Sequence, residues 1–204
     1  MAAAAPPGTS RERIVFAGAE LFRRQGYAAT GVKQIVAEAQ APFGSLYHHF
    51  PGGKEQLADE VLRTGGAFFL ALYRSIIDQA PDLSTGVRAF FAGAAETLEV
   101  TDFQDACPIA TVAGEVASAN DTLRRATADV FESWSAALAG DLRAAGAQPA
   151  DARAAALAVL AQLEGAFLLS RSLRSTDPMH AAAGAAVAGL TALLDPPTLN
   201  GSTP

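Results

Sequence analysis

No stretch of this 204-residue chain alternates apolar and polar residues over the length of a strand; its apolar residues recur instead at spacings of three and four. That period lines side chains along one face of an α-helix. Val, Ile and Thr, which favour strands where they cluster, occur singly, and the helix formers Ala, Leu, Glu and Arg dominate. The expectation is an all-α fold of about nine helices. Half of the residues are hydrophobic and 18% are charged, so the chain can bury a sizeable core and is not of disordered composition.

Punctuation marks the helices. Thr9-Ser-Arg-Glu12 reads as a capping box, in which hydroxyl and carboxylate satisfy each other's backbone N–H. Behind it Ile14, Ala17, Leu21 and Phe22 form an apolar face, and Gly26 fits a left-handed residue past the helix end. Thr30 is placed to cap a short helix carrying Val32, Ile35, Val36 and Ala39. After a break at Gln40-Ala41, Pro42 opens a third, very short helix with Leu46 and Phe50 on one face, and Pro51-Gly-Gly stops it. A fourth helix is expected from near Lys54 towards Ile77. Longer ones follow at about Ser84–Thr101, from Pro108, Asp121–Ala145, Pro149–Ser175 and Pro178–Leu194. Residues 1–8 and 195–204, rich in Ala, Pro, Gly and Ser, are expected to be a disordered arm and tail.

Several function classes are disfavoured. The single cysteine, Cys107, excludes an internal disulfide framework and a multi-cysteine zinc site. His48 and His49 point about 100° apart on a helix and have no further ligand at metal spacing, so no metal is assigned. Gly52-Gly-Lys54 is followed by Glu55, not Ser or Thr, and is no phosphate loop. No Gly-x-Ser-x-Gly elbow or nucleotide fingerprint is present, so no catalytic residue, enzyme activity or cofactor is assigned. The N-terminal residues lack the basic and apolar regions of a signal peptide. The low-polarity run Ala181–Leu194 is shorter than the roughly 20 residues that cross a bilayer, so no membrane partner and a cytoplasmic location are expected. Without secretion the acceptor pattern at Asn200-Gly-Ser carries no weight.

Charge is uneven. Residues 1–63 hold seven Lys/Arg against six acids, and the remainder eight against fifteen, so the N-terminal third alone suits a polyanion. Three short helices within some 40 residues, with a tight break between the second and third, describe a helix-turn-helix whose third helix enters the DNA major groove. Val36, Ala39, Ala41, Leu46 and Phe50 supply the inner faces. The outer face then holds Phe43, Gly44, Ser45, Tyr47 and His48, where Gly44 admits close backbone approach and the hydroxyls and imidazole can bond phosphate or base edges. Lys54, at the start of the next helix, suits a phosphate.

These residues resemble the DNA-binding domain of the tetracycline-repressor (TetR) family. The resemblance lies in Ile14, Ala19-Glu-Leu-Phe22, Gly26-Tyr27, Thr30-Gly-Val, Ile35, Ala37, Gly44-Ser-Leu-Tyr-His-His-Phe50 and Lys54-Glu-Gln-Leu57. Phe50-Pro-Gly-Gly-Lys-Glu-Gln-Leu57 and Cys107-Pro-Ile-Ala-Thr-Val-Ala113 further resemble the lincomycin-resistance regulators (LmrA/YxaF-like). Two positions depart from the family pattern. Gln40 stands where the turn usually has Gly, at a cost if its backbone is left-handed. Phe43 stands where Lys or Arg is common, and can instead touch a thymine methyl.

The resemblance implies a helix-turn-helix domain at 9–55 and a ligand-binding and dimerisation domain at 56–194. It implies a homodimeric repressor that binds a palindromic double-stranded operator through Thr30, Lys33, Pro42, Phe43, Gly44, Ser45, Tyr47, His48 and Lys54. A small, largely apolar or aromatic effector would release it. The aromatic candidates for that effector's cavity are Phe68, Phe69, Phe90, Phe91, Phe103, Phe131, Trp134 and Phe167, each of which also fits ordinary core packing. Cys107, Thr111 and Gln162 are the polar candidates, with a buried or capping Cys107 favoured over a redox sensor. Small residues in register, Ala181, Ala185 and Gly189, with Ala158, Leu193 and the neighbouring Ala154, Ala161 and Ala166, let helices approach closely across a dimer interface. Two alternatives stand beside this reading: a ligand-sequestering helical protein whose helix-turn-helix no longer acts on an operator, and an all-helical enzyme.

Overall fold

A computed structural model of the chain describes residues 8–195. The expected arm and tail, Gly8 and Asp195 apart, lie outside the described residues, as does Asn200. The described residues form nine α-helices and no strand: α1 Ser10–Gln25, α2 Val32–Glu38, α3 Phe43–His49, α4 Gly53–Ile77, α5 Leu83–Val100, α6 Pro108–Val116, α7 Asp121–Ala144, α8 Pro149–Leu173 and α9 Asp177–Leu194. Local chemistry sets most ends. The Thr9 hydroxyl accepts from the Glu12 N–H at 3.3 Å and the Glu12 carboxylate from the Thr9 N–H at 2.7 Å, completing the capping box and holding the Glu12 carboxyl below its usual range. Proline opens α6, α8 and α9 within their first two positions.

Two compact units emerge. The first comprises residues 8–71 and 104–132. Its buried side chains are Ile14, Leu21 and Phe22 of α1, Ile35 and Val36 of α2, Leu46 and Phe50 around α3, Leu57 and Leu62 of α4, Ile109 and Val112 of α6 and Leu123 of α7. A Cβ added at Gly66 of α4 would meet the Val130 side chain of α7 at 2.6 Å, so that side chain packs directly on the α4 backbone.

The second unit comprises residues 72–103 and 133–195, taking the ends of α4 and α7 together with α5, α8 and α9. One core cluster joins Phe91 and Leu98 of α5, Leu142 of α7, Ala156 and Leu163 of α8 and Met179 and Leu190 of α9. Beside it Asp141 accepts from the Tyr73 hydroxyl at 2.7 Å and from Arg74 at 2.5 Å. Burial, with the bond to Asp141, pushes the Tyr73 phenol well above its usual range.

The run Ala181–Leu194 is apolar nearly all the way round, a composition that asks for burial on several sides. Among the described residues only one side of it is covered. Met179, Ala183, Ala186 and Leu190 are buried, whereas Ala181, Gly184, Ala185, Ala188, Gly189 and Ala192 are exposed. On α8 the exposed face carries Ala154, Leu157, Ala158, Ala161, Leu168, Leu169 and Leu173. Two expected interface residues change place: Ala166 is buried inside the unit, and Leu193 packs partly against its core. By length and composition alone, α8 is long and apolar enough to cross a membrane, whereas Ala181–Leu194 is too short.

Candidate nucleic-acid interface

The helix-turn-helix is formed by α2 and α3. The Ala39 N–H donates to the Ile35 carbonyl, and the chain then reverses at Gln40, whose φ is 47°. The N–H of Ala41 returns to the Val36 carbonyl at 2.9 Å, closing a left-handed helix end with a non-glycine residue at its left-handed position. From α1 the Arg13 guanidinium donates to the Ala39 carbonyl at 3.0 Å and steadies the turn from outside. Inside, Val36, Ala39, Leu46 and Phe50 are buried as expected, with Ile35 beside them, whereas Ala41 is only half-buried.

The outward face of α3 is exposed at Pro42, Phe43, Gly44, Tyr47 and His48, with Ser45 half-buried. Phe43 is 50% and Tyr47 49% exposed, and their rings meet edge-on with centroids 6.0 Å apart. Lys33 of α2 is exposed. Two other candidates for DNA contact face elsewhere. Thr30 is buried; its hydroxyl donates to the Gly26 carbonyl at 2.6 Å and accepts from Gln25. It does not cap α2, whose N-cap is Gly31 without a side-chain bond. Lys54 turns inward: its ammonium donates to the carbonyls of Tyr27 and Thr30, both at 3.0 Å, and lies 4.1 Å from the Tyr27 ring centre. Burial lowers its pKa, against the pull of Glu115. A lysine at a helix start reads as solvated, but here it holds the turn between α1 and α2.

Of the seven Lys/Arg before residue 64, six are engaged within the protein. Arg11 pairs with Glu60, Arg13 with the Ala39 and Gly8 carbonyls, Arg23 with Glu20 and Asp105, Arg24 with Glu20, and Arg63 with Asp59 and Asp129. Lys54 is the sixth. We therefore expect Lys54→Met to lower stability by about 1–3 kcal/mol, the range for carbonyls left without a buried partner, and to leave the salt dependence of DNA binding unchanged. Lys33→Ala should do the reverse, reducing the slope of log affinity against log salt by about 0.9 per lost phosphate contact. Thermal melting and salt titration of the two variants separate these roles.

Residues that position this surface also come from α6 and the segment before it. Asp105, itself buried, pairs with Arg23 of α1. The Glu115 carboxylate accepts from the Ala28 N–H at 2.6 Å, in the turn between α1 and α2. No local pattern announces these contacts, since Ala28 and Glu115 are 87 residues apart.

The candidate effector residues fall in both units. Phe68, Phe69, Cys107, Thr111 and Phe131 belong to the first, and Phe90, Phe91, Phe103, Trp134, Gln162 and Phe167 to the second. Phe68 is 64% exposed, whereas Phe91 is 1% exposed within the second unit's core, against which Phe90, Phe103 and Phe167 also pack. Cys107 is buried, and its carbonyl accepts from the Thr111 hydroxyl at 2.9 Å. Gln162 carries a buried Oε1 with no hydrogen-bond partner among the described residues.

Comparison with known proteins agrees with this geometry at both ends of the chain. Residues 14–61 match the family model of bacterial regulatory proteins of the tetR family, and residues 84–185 match that of the LmrA/YxaF-like transcriptional regulator C-terminal domain. The HTH-type transcriptional regulator LmrA of Bacillus subtilis is 34% identical over 172 residues, covering 84% of this chain and 92% of that protein. The uncharacterized regulator YxaF of the same organism is also 34% identical, over 84% of this chain and 90% of its own. Among solved structures, the regulatory protein TetR from Rhodobacter sphaeroides superposes with a TM-score of 0.80 at 25% identity, covering 89% of this chain and 99% of that one.

Proposed function

The chain belongs to the TetR family of transcriptional regulators, in its LmrA/YxaF-like branch, and on that premise we propose that it is a homodimeric, ligand-responsive repressor of transcription. The α3 helix of each protomer reads one half of a palindromic operator in the cytoplasm, and a small, largely apolar or aromatic molecule releases it. The observation that carries this reading is the outward face of α3: aromatic, hydroxyl and imidazole groups exposed on a helix whose inner face is fully packed. The uncovered apolar faces of α8 and α9 support a second copy as partner, because a two-fold dimer presents two reading helices one turn of DNA apart, about 34 Å. The buried Oε1 of Gln162 supports a ligand, since an orphaned buried acceptor costs about 1–3 kcal/mol that a donor on the ligand recovers.

Coupling follows from how α6 is fastened. Glu115 and Asp105 tie it to α1 and to the turn before α2, so a molecule that displaces α6 carries the helix-turn-helix with it. Only a molecule that binds one arrangement better than the other shifts the balance. The engagement of six of the seven N-terminal cations favours a second reading, a sequestering protein that no longer acts on DNA.

One pair of titrations decides between them. Trp134 is the only tryptophan, so an aromatic compound bound near it should change its emission. Titrated with and without the DNA adjoining the gene, an inducer must show weaker affinity in the presence of operator. A coupling of about 1–3 kcal/mol makes the factor roughly 5–150. Trp134→Leu should weaken the compound and leave DNA binding intact. Equal affinity in both titrations would reject that compound as an inducer and leave the sequestering protein, or a regulator that responds to another molecule, as the better reading.

A further inference from the structure

We propose that this chain selects its operator through a thymine 5-methyl group held against Phe43, and not through a hydrogen-bonding side chain at the start of the reading helix. The inference rests on α3 being the helix that enters the groove. The outward residues there are Pro42, Phe43, Gly44, Tyr47 and His48, with Ser45 half-buried. None is Arg, Lys, Asn or Gln, the side chains that grip guanine or adenine with two hydrogen bonds. A reading helix contacts base edges mainly through its N-terminal residues, and the side chain offered there is a phenyl ring.

That ring has neither donor nor acceptor. Set against a base edge whose polar atoms lose water, it leaves them unpaired, which is costly. The apolar feature on the major-groove edges is the methyl of thymine. Phe43 is also held in place: Tyr47, one turn on, packs edge-to-face against it. No atom lies within 4 Å of where a Cβ at Gly44 would stand, so the residue beside Phe43 puts no bulk between backbone and groove. The engagement of most nearby cations within the protein leaves a small electrostatic contribution, and raises the share of selectivity resting on apolar contact.

The test uses the full chain and double-stranded DNA selected by it from a random-sequence library. Each thymine of the selected half-site is replaced by uracil, which removes the methyl and nothing else. One thymine per half-site should prove sensitive, losing roughly fourfold in affinity when replaced in one half and about fifteenfold when replaced in both, the effect of one buried methyl. Phe43→Ala, whose half-exposed ring can be removed without opening the core, should melt like the parent and bind thymine and uracil operators alike. If no thymine is sensitive, or if Phe43→Ala keeps the full uracil effect, the proposal is wrong while the regulator reading stands. If the library yields no selected sequence, both fall together.

Discussion

Replacing both Ala185 and Gly189 by leucine is expected to turn a dimer into a monomer in sedimentation. Both positions are exposed on α9, and among the described residues nothing beyond α9's own backbone lies within 4 Å of where a Cβ at Gly189 would stand. The added side chains therefore burden no intramolecular packing, and the variant should fold. Their bulk falls where small residues permit close helix approach. Overpacking costs on the order of 1–3 kcal/mol per site, and a two-fold interface meets each site twice, so the pair together imposes roughly 4–12 kcal/mol. DNA affinity should fall roughly 10²–10⁴-fold, because two linked half-site contacts become one. Circular dichroism should be unchanged. A variant that stayed dimeric would move the interface off α9, and one that pelleted with vesicles would point the apolar face of α8 at lipid.

What the sequence makes legible here is short in range. The capping box spans three residues and is complete in the structure. Helix starts at Pro108, Pro149 and Asp177-Pro178 follow from a missing N–H and a fixed φ, which need no tertiary context. The departure at Gln40 is legible too, because a tight turn requires a left-handed residue whichever side chain sits there, and its φ is 47°. Facing is harder to read. Ala166 lies five residues past Ala161, where a period of 3.6 has already turned it towards the core. Aromatic type does not reveal environment: Phe91 fills a core while Phe68 stands largely in the open, since the same ring suits core, ligand and partner.

Long-range polar contacts leave no mark in the sequence at all. Lys54 reads as a solvated cation until Tyr27 and Thr30 are seen to present carbonyls to it. Arg13 and Asp105 are ordinary surface types by composition, yet each fixes a part of the reading head through a residue distant in the chain. Such contacts depend on which helices meet, and that is decided by the packing of apolar faces before any polar group finds its partner.

Gly26→Ala is expected to have the second large effect, and it probes the same link. Gly26 closes α1 with φ 83° and ψ 174°, a positive φ as expected but with extended ψ. That region is essentially restricted to glycine, and a side chain there costs of order 1–3 kcal/mol. A Cβ would also stand 1.7 Å from Oε1 of Glu115. The carboxylate is the end of a flexible side chain and can swing away, so the overlap itself is relieved. What is lost is its charge-assisted bond to the Ala28 N–H, a class of bond contributing about 1.5–3 kcal/mol. Together these predict a loss of about 2.5–6 kcal/mol, which for a chain of this size lowers the melting temperature by roughly 5–24 °C. Glu115→Ala should cost the bond alone and leave the turn unstrained. In the Glu115→Ala background, Gly26→Ala should cost only the backbone share, and the shortfall between the two measurements is the coupling of α6 to the turn. If Gly26→Ala costs the same with and without Glu115, the carboxylate does not hold α6 to the reading head. The proposed coupling of α6 to α3 would then rest on the Arg23–Asp105 pair and on the packing of α6 against α1.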